Sequence, residues 1–162
     1  ATRNRLIGLL ATEATVASGR YSDLVGALDA GAEVVSVSCP RLVPLIEGDD
    51  PFGEATAAAV REYAAPLKEA GSDTVILGCT HYPLIRPAIE HALGAGVTVI
   101  DTADAVAAQV VRVAATLPAT DTSPDHIGRR LLQSTGDTQA LQRFAAHWLS
   151  FPFDAEALPH TL

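Results

Sequence analysis

Residues Thr74–Leu84 read TVILGCTHYPL, and the order of residue types within this stretch decides the fold. Thr74 to Gly78 is a short, β-branched apolar run closed by glycine, the pattern of a strand buried on both faces rather than on one. Pro83 then opens a helix expected to run through about Leu93, with Gly94 and Gly96 ending it. Between strand and helix stand Cys79, Thr80 and His81. Open α/β sheets bind ligands at the carboxyl ends of their strands, and the free N–H groups at a helix start attract anions there.

The same punctuation repeats on either side. Leu6 to Leu10, Val34 to Ser38 and Val97 to Ile100 are further continuous apolar runs, and Arg129 to Thr135 is a weaker one. Tyr21, Leu24, Val25 and Leu28 form a helical stripe. Asp50-Pro51 reads as a helix start, and Val60, Tyr63, Ala64 and Leu67 carry that helix to Gly71. Val106, Val110, Val113 and Leu117 mark another helix, and Leu141, Phe144, Ala145 and Trp148 the last. Pro118 to Pro124 reads as a loop. Strands alternating with helices predict an α/β fold built on a parallel sheet. After Ile100, two helices follow with one plausible strand, too little sheet for them to cover.

Composition narrows the function classes. The 162 residues are 48% hydrophobic, enough for a real core. No apolar run approaches the roughly 18 residues of a membrane span, so a cytoplasmic protein without a membrane partner is expected. The net charge of −8, from 19 acidic and 11 basic residues, disfavours nucleic acid as a partner. Cys39 and Cys79 have no second pair, so neither a disulfide framework nor a metal site is expected. The sequence holds no methionine, and it reads as a piece of something longer.

Cys79 admits two readings. At a strand end, beside a helix start and two residues from His81, its thiol is placed to ionise and react. Equally, a cysteine there can be a small buried hydrophobe next to a capping Thr80.

The motifs tilt the balance. GCTHYPL, preceded by Leu67-Lys68-Glu69-Ala70-Gly71, resembles the second catalytic-cysteine segment of the glutamate racemases, within the aspartate/glutamate racemase family. Ile7-Gly8 through Thr12, Thr15 and Tyr21 is similar to that family's strand-then-threonine segment, with Ala11 where glycine is usual. Ser38-Cys39-Pro40-Arg41-Leu42-Val43-Pro44-Leu45-Ile46-Glu47 resembles its cysteine-proline stretch, and Ser134-Thr135-Gly136-Asp137 its last strand and turn. The resemblance covers about residues 1 to 148. It implies interconversion of L- and D-glutamate by two cysteines on opposite faces of the substrate, without cofactor or metal, supplying D-glutamate for peptidoglycan. It further implies Cys79 as the base for the L-enantiomer, Thr80 and His81 as substrate contacts, and His81 as helper to the cysteine. Glu47 is an acidic residue near the site in that pattern, although a solvated loop carboxylate is the alternative. Thr12 and Thr15 are polar candidates at the first strand's end, with helix capping the alternative for at least one.

Cys39 matches a non-catalytic position, and Pro40 and Pro44 make its segment look architectural. His91, His126, His147 and His160 form no cluster and read as surface or packing residues, and Trp148 as core. The family's Asp-Ser turn, Tyr-Gly segment and first catalytic cysteine have no match here. The resemblance therefore implies a complete three-layer lobe over residues 1–101 and a segment, 102–162, that belongs to a partial second lobe and leaves apolar faces uncovered. Such a chain holds half a site and is expected not to turn over alone; a homodimer is possible for the intact protein. An aspartate or other cofactor-independent racemase, or a non-catalytic α/β binding module, are the alternatives. His81 favours glutamate over aspartate, because glutamate stands at that position in the aspartate enzymes.

Overall fold

The computed structural model describes residues 2–118 and 128–159. His126, His160 and nearly all of the expected 118–124 loop lie outside the described residues. The chain groups into two units, Ala1–Ala114 and Ala115–Leu162, a division that falls beyond the boundary expected after residue 101.

In the first unit the order is β1 (Leu6–Ala11), α1 (Glu13–Ala17), α2 (Arg20–Leu28), β2 (Glu33–Ser38), α3 (Leu42–Glu47) and α4 (Glu54–Glu69). There follow β3 (Thr74–Gly78), a 3-10 helix over Tyr82–Ile85, α5 (Arg86–Leu93), β4 (Thr98–Ile100) and α6 (Ala103–Ala114). The sheet is wholly parallel with order β2-β1-β3-β4. Ala11 pairs with Ser38 on one side and Gly78 on the other, so three strands end level.

This order fixes where the helices go. The β1-to-β2 and β2-to-β3 connections cross the sheet in opposite directions. Right-handed crossovers therefore put α1 and α2 on one face and α3 and α4 on the other. The β3-to-β4 connection places α5 beside α4, and those two helices pack together. Leu67 of α4 sits directly over β1: a Cβ at Gly8 would lie 2.9 Å from its Cδ1 and 3.0 Å from Val75 Cγ2. Gly8 is thus the notch that lets α4 approach the sheet. Leu9, Leu10, Leu67, Val75 and Leu77 are all at most 1% exposed and form the centre of this core.

The apolar spacing on α4 is observed as expected, with Ala59, Val60, Tyr63, Ala64 and Leu67 buried. Gly71, at φ 77, takes the left-handed conformation that ends it. Three stretches differ from the sequence expectation. Helix α4 starts at Glu54 behind an N-cap at Gly53, and Asp50-Pro51 belong to the turn before it. The helix expected from Pro83 begins as a 3-10 turn, and regular α-helix starts only at Arg86. The Pro40–Glu47 stretch, for which the sequence predicts no element, contains α3, which begins after Pro40 and tolerates Pro44 within its first turn, where no intrahelical N–H is required.

Helix α6 carries the expected valine stripe, yet none of its residues is buried, and Val106, Val110 and Val111 are each more than half exposed. In the second unit, β5 (Leu131–Ser134), α7 (Thr138–Trp148) and β6 (Asp154–Ala157) form a small βαβ arrangement, with β5 parallel to β6. Strand β6 corrects the expectation of a single strand after Ile100. Its sequence, DAEA, has no β-branched or aromatic residue and carried no strand signal. Asp137 caps α7 by accepting from the Gln139 N–H, and Trp148 packs partly buried between the Phe144 and His147 rings.

Candidate active site

A doubly wound sheet leaves a crevice where neighbouring strands send their chains in opposite directions. Here that point lies between β1 and β3, which pair directly but exit to opposite faces. Thr12 follows β1 and Cys79 follows β3, so both stand at its mouth.

Cys79 is partly buried, and its Sγ lies 3.9 Å from Nδ1 of His81. On the other side of the imidazole, Nε2 is 2.9 Å from Oε1 of Glu47. A carboxylate can only accept, so Nε2 carries the proton and donates it. In the neutral imidazole, Nδ1 then turns a lone pair toward the Cys79 thiol. The three side chains thus form a line in which Glu47 sets the ring's tautomer and angle, and His81 can take a proton from, or return one to, the sulfur. Glu47 is the last residue of α3, 34 positions from His81, and it meets the ring only because α3 and the 3-10 turn pack against each other. The solvated-loop alternative for Glu47 is therefore replaced by a half-exposed helix-end carboxylate with a defined partner. Thr80 is exposed beside this line.

Thr12 caps α1: its Oγ1 accepts from the Thr15 N–H at 3.3 Å, and the two hydroxyls are 2.9 Å apart. Both threonines are partly buried at the strand end, with Thr12 occupied by the cap.

Cys39 follows β2 at the same end of the sheet but in a different state. It is 1% exposed, and burial pushes its thiol from 9.0 up to about 12, despite hydrogen bonding that favours the thiolate. It is a protonated packing residue at neutral pH. Tyr82, fully buried, carries no sequence signal beyond its place in the motif. Its hydroxyl donates to the Cys39 carbonyl at 3.3 Å. Burial, with Cys39 and Cys79 nearby, holds that hydroxyl well above the usual phenol range, so it remains a donor. Arg86 pins the end of the neighbouring strand, with Nη1 2.7 Å from Asp101 Oδ2 and Nη2 3.0 Å from the Val99 carbonyl.

Of the remaining histidines within the described residues, His91 and His147 are exposed and remote in sequence from this cluster. Among the described residues no group of three His, Cys, Asp or Glu side chains is arranged to hold a metal, and no helix is long and apolar enough to cross a membrane.

Comparison with known proteins gives a consistent result. The family model for Asp/Glu/hydantoin racemases matches residues 1–110. A glutamate racemase of Carnobacterium is 37% identical over 150 residues, covering 92% of this chain and 56% of the relative. One from Desulforudis audaxviator is 52% identical over 99 residues, covering 61% of this chain and 36% of the relative. The crystal structure of the RacE1 isoform from Bacillus anthracis superposes with a TM-score of 0.83 at 27% identity, over 99% of this chain and 59% of that one. The chain therefore spans little more than half the length of curated relatives that it matches along almost its whole sequence.

Proposed function

The chain belongs to the Asp/Glu/hydantoin racemase family, and from that premise we propose that it forms one face of a glutamate racemase active site. The observation that supports this best is the Cys79–His81–Glu47 line at the switch point of the sheet. An amino acid α-proton is very weakly acidic, so its removal needs a base held at the right distance and donors for the charge that develops on the substrate carboxylate. Cys79 is the base for one enantiomer. His81 takes the thiol proton as the thiolate forms, and Glu47 keeps the imidazole aligned. Thr80 contributes its hydroxyl and backbone N–H to the substrate carboxylate, and Thr12 and Thr15 offer further polar contacts.

Inversion at carbon needs a second group on the opposite face of the substrate. Cys39 does not suit that role, because it is buried and protonated. The opposing thiol belongs to a segment outside these residues, with residues 1–101 as one lobe and 102–162 as a segment of the other. The chemistry uses no metal or organic cofactor. The whole protein is a cytoplasmic enzyme that supplies D-glutamate to the cell wall and can act as a homodimer. An aspartate racemase is the competing assignment, and the histidine at position 81 supports glutamate.

The test compares glutamate and aspartate turnover by the 162-residue chain with turnover by the natural gene product containing it. Glutamate racemisation is expected in the latter, lost by about 10³-fold or more in Cys79→Ala and in the isolated chain. Comparable turnover by the chain alone overturns the half-site reading, and a preference for aspartate overturns the substrate.

A further inference from the structure

We infer that Tyr82 is a positioning residue that locks the turn carrying Cys79 and His81 to the helix carrying Glu47, through the carbonyl of Cys39. This rests on the reading of Cys79, His81 and Glu47 as a working set.

The Cys39 carbonyl is a junction. Its N–H is held by the Ala11 carbonyl at 2.9 Å, which fixes it to the end of β1. Its oxygen accepts from the Leu42 N–H at 3.2 Å, at the start of α3, and from the Tyr82 hydroxyl at 3.3 Å. A carbonyl oxygen has two lone pairs, and both are used here. One serves the helix that ends in Glu47, and the other serves the turn that presents Cys79 and His81. The Tyr82 N–H in turn donates to the Cys79 carbonyl at 3.3 Å, and the Leu84 N–H to that of His81 at 3.0 Å. Tyr82 therefore grips the turn by its backbone and the Cys39 junction by its side chain.

Neither end could be held this way by the working residues themselves. Glu47 is half exposed and His81 a quarter exposed, so their contact faces water on one side. Contacts of that kind contribute little when both partners must be ordered from free rotamers. A buried hydroxyl–carbonyl bond, shielded from water, sets the separation of the two segments before the side chains meet. The ring of Tyr82 is 0% exposed, so its position is fixed by packing.

The lock predicts a coupling. In the full chain, Glu47→Ala removes the carboxylate that aligns His81 and slows iodoacetamide alkylation of Cys79 by about threefold or more. In a Tyr82→Phe background, which keeps the ring and loses only the hydroxyl, the same substitution is expected to change the rate by less than about 1.5-fold. A merely structural tyrosine would lower the melting temperature and leave the Glu47 effect intact; that result, in a folded Tyr82→Phe chain, overturns the inference. So does an unchanged rate on Glu47→Ala alone. The wild type supplies an independent check should Tyr82→Phe not fold. The Tyr82 hydroxyl proton must exchange slowly and show proximity to Cys39 by NMR, and exchange at solvent rate overturns the lock. All these readouts are thiol chemistry and spectroscopy. Failure of racemisation would therefore refute the proposed activity without touching the lock, and the reverse also holds.

Discussion

Asp73 and Cys79 bracket the same strand, β3, and the protein treats the two ends in opposite ways. At the amino end, the Asp73 carboxylate accepts from the Thr2 hydroxyl at 2.7 Å and the Arg3 and Asn4 N–H groups at 2.7 and 2.9 Å. The Thr74 hydroxyl adds a fourth bond at 3.0 Å. The group is saturated, and it ties the chain's beginning to the sheet. At the carboxyl end, Cys79 makes a long contact to His81, and the line it begins ends at a half-exposed carboxylate. One end spends its polar group on structure, whereas the other holds a thiol close to an imidazole that a carboxylate aligns. Functional residues are expected where titratable side chains are held against one another rather than against the backbone.

The largest effect that can break this comparison is thiol reactivity. Cys39 lies at the same end of the sheet as Cys79, so position alone predicts similar behaviour. With its thiol pushed up to about 12, Cys39 is thiolate in roughly one molecule in 10⁴ at pH 8, and burial blocks the reagent as well. Alkylation of Cys79 should exceed that of Cys39 by at least about 100-fold at pH 8, read by mass spectrometry of the two peptides. Similar rates would mean that the two strand ends do not differ as described.

A smaller effect tests how closely the site depends on the strand beneath it. A Cβ at Gly78 would lie 2.8 Å from Leu9 Cδ1 and 3.0 Å from Ala11 Cβ, and Ala11 cannot retreat because it belongs to the central strand. Gly78→Ala is expected to cost about 1–3 kcal/mol in a urea titration by overpacking. It should also alter the Cys79 alkylation rate, because Cys79 is the next residue. A stability loss with an unchanged rate would separate the site from the strand that carries it.

Legibility in the sequence followed how local each feature is. Cys79 and His81 stand two residues apart at the end of an apolar run, so a linear reading places them together. Their link to Glu47 was invisible to spacing, because it depends on α3 packing against the 3-10 turn, and α3 itself was hidden by Pro40 and Pro44. The resemblance to a family supplied Glu47 where physics could not. Strand β6 escaped because Asp154–Ala157 pairs through its backbone and offers no apolar pattern. Tyr82 escaped for another reason: the use of its hydroxyl appears only when the Cys39 carbonyl is seen opposite it.

The smallest effect concerns the saturated end of the strand and follows from the sign of its titration. Burial alone would raise the Asp73 carboxyl, but the bonds from Thr2, Arg3, Asn4 and Thr74 outweigh it and bring it from 3.8 down to about 2. A carboxyl depressed in the folded state binds its proton more readily when unfolded. Its contribution is therefore complete above pH 4 and is lost as the pH falls from about 4 through about 2. Asp73→Asn removes the titrating group, so its urea midpoint should fall below that of the wild type at pH 6, and the gap should narrow toward pH 2. Because the group is only partly buried, the change is expected to be modest and to weaken in salt. The alkylation rate of Cys79 should not move, since Asp73 lies at the far end of β3. A gap that widens toward low pH would refute the titration. A changed Cys79 rate would show that the two ends of the strand are not independent, and the division between a structural end and a chemical end would then have to be redrawn.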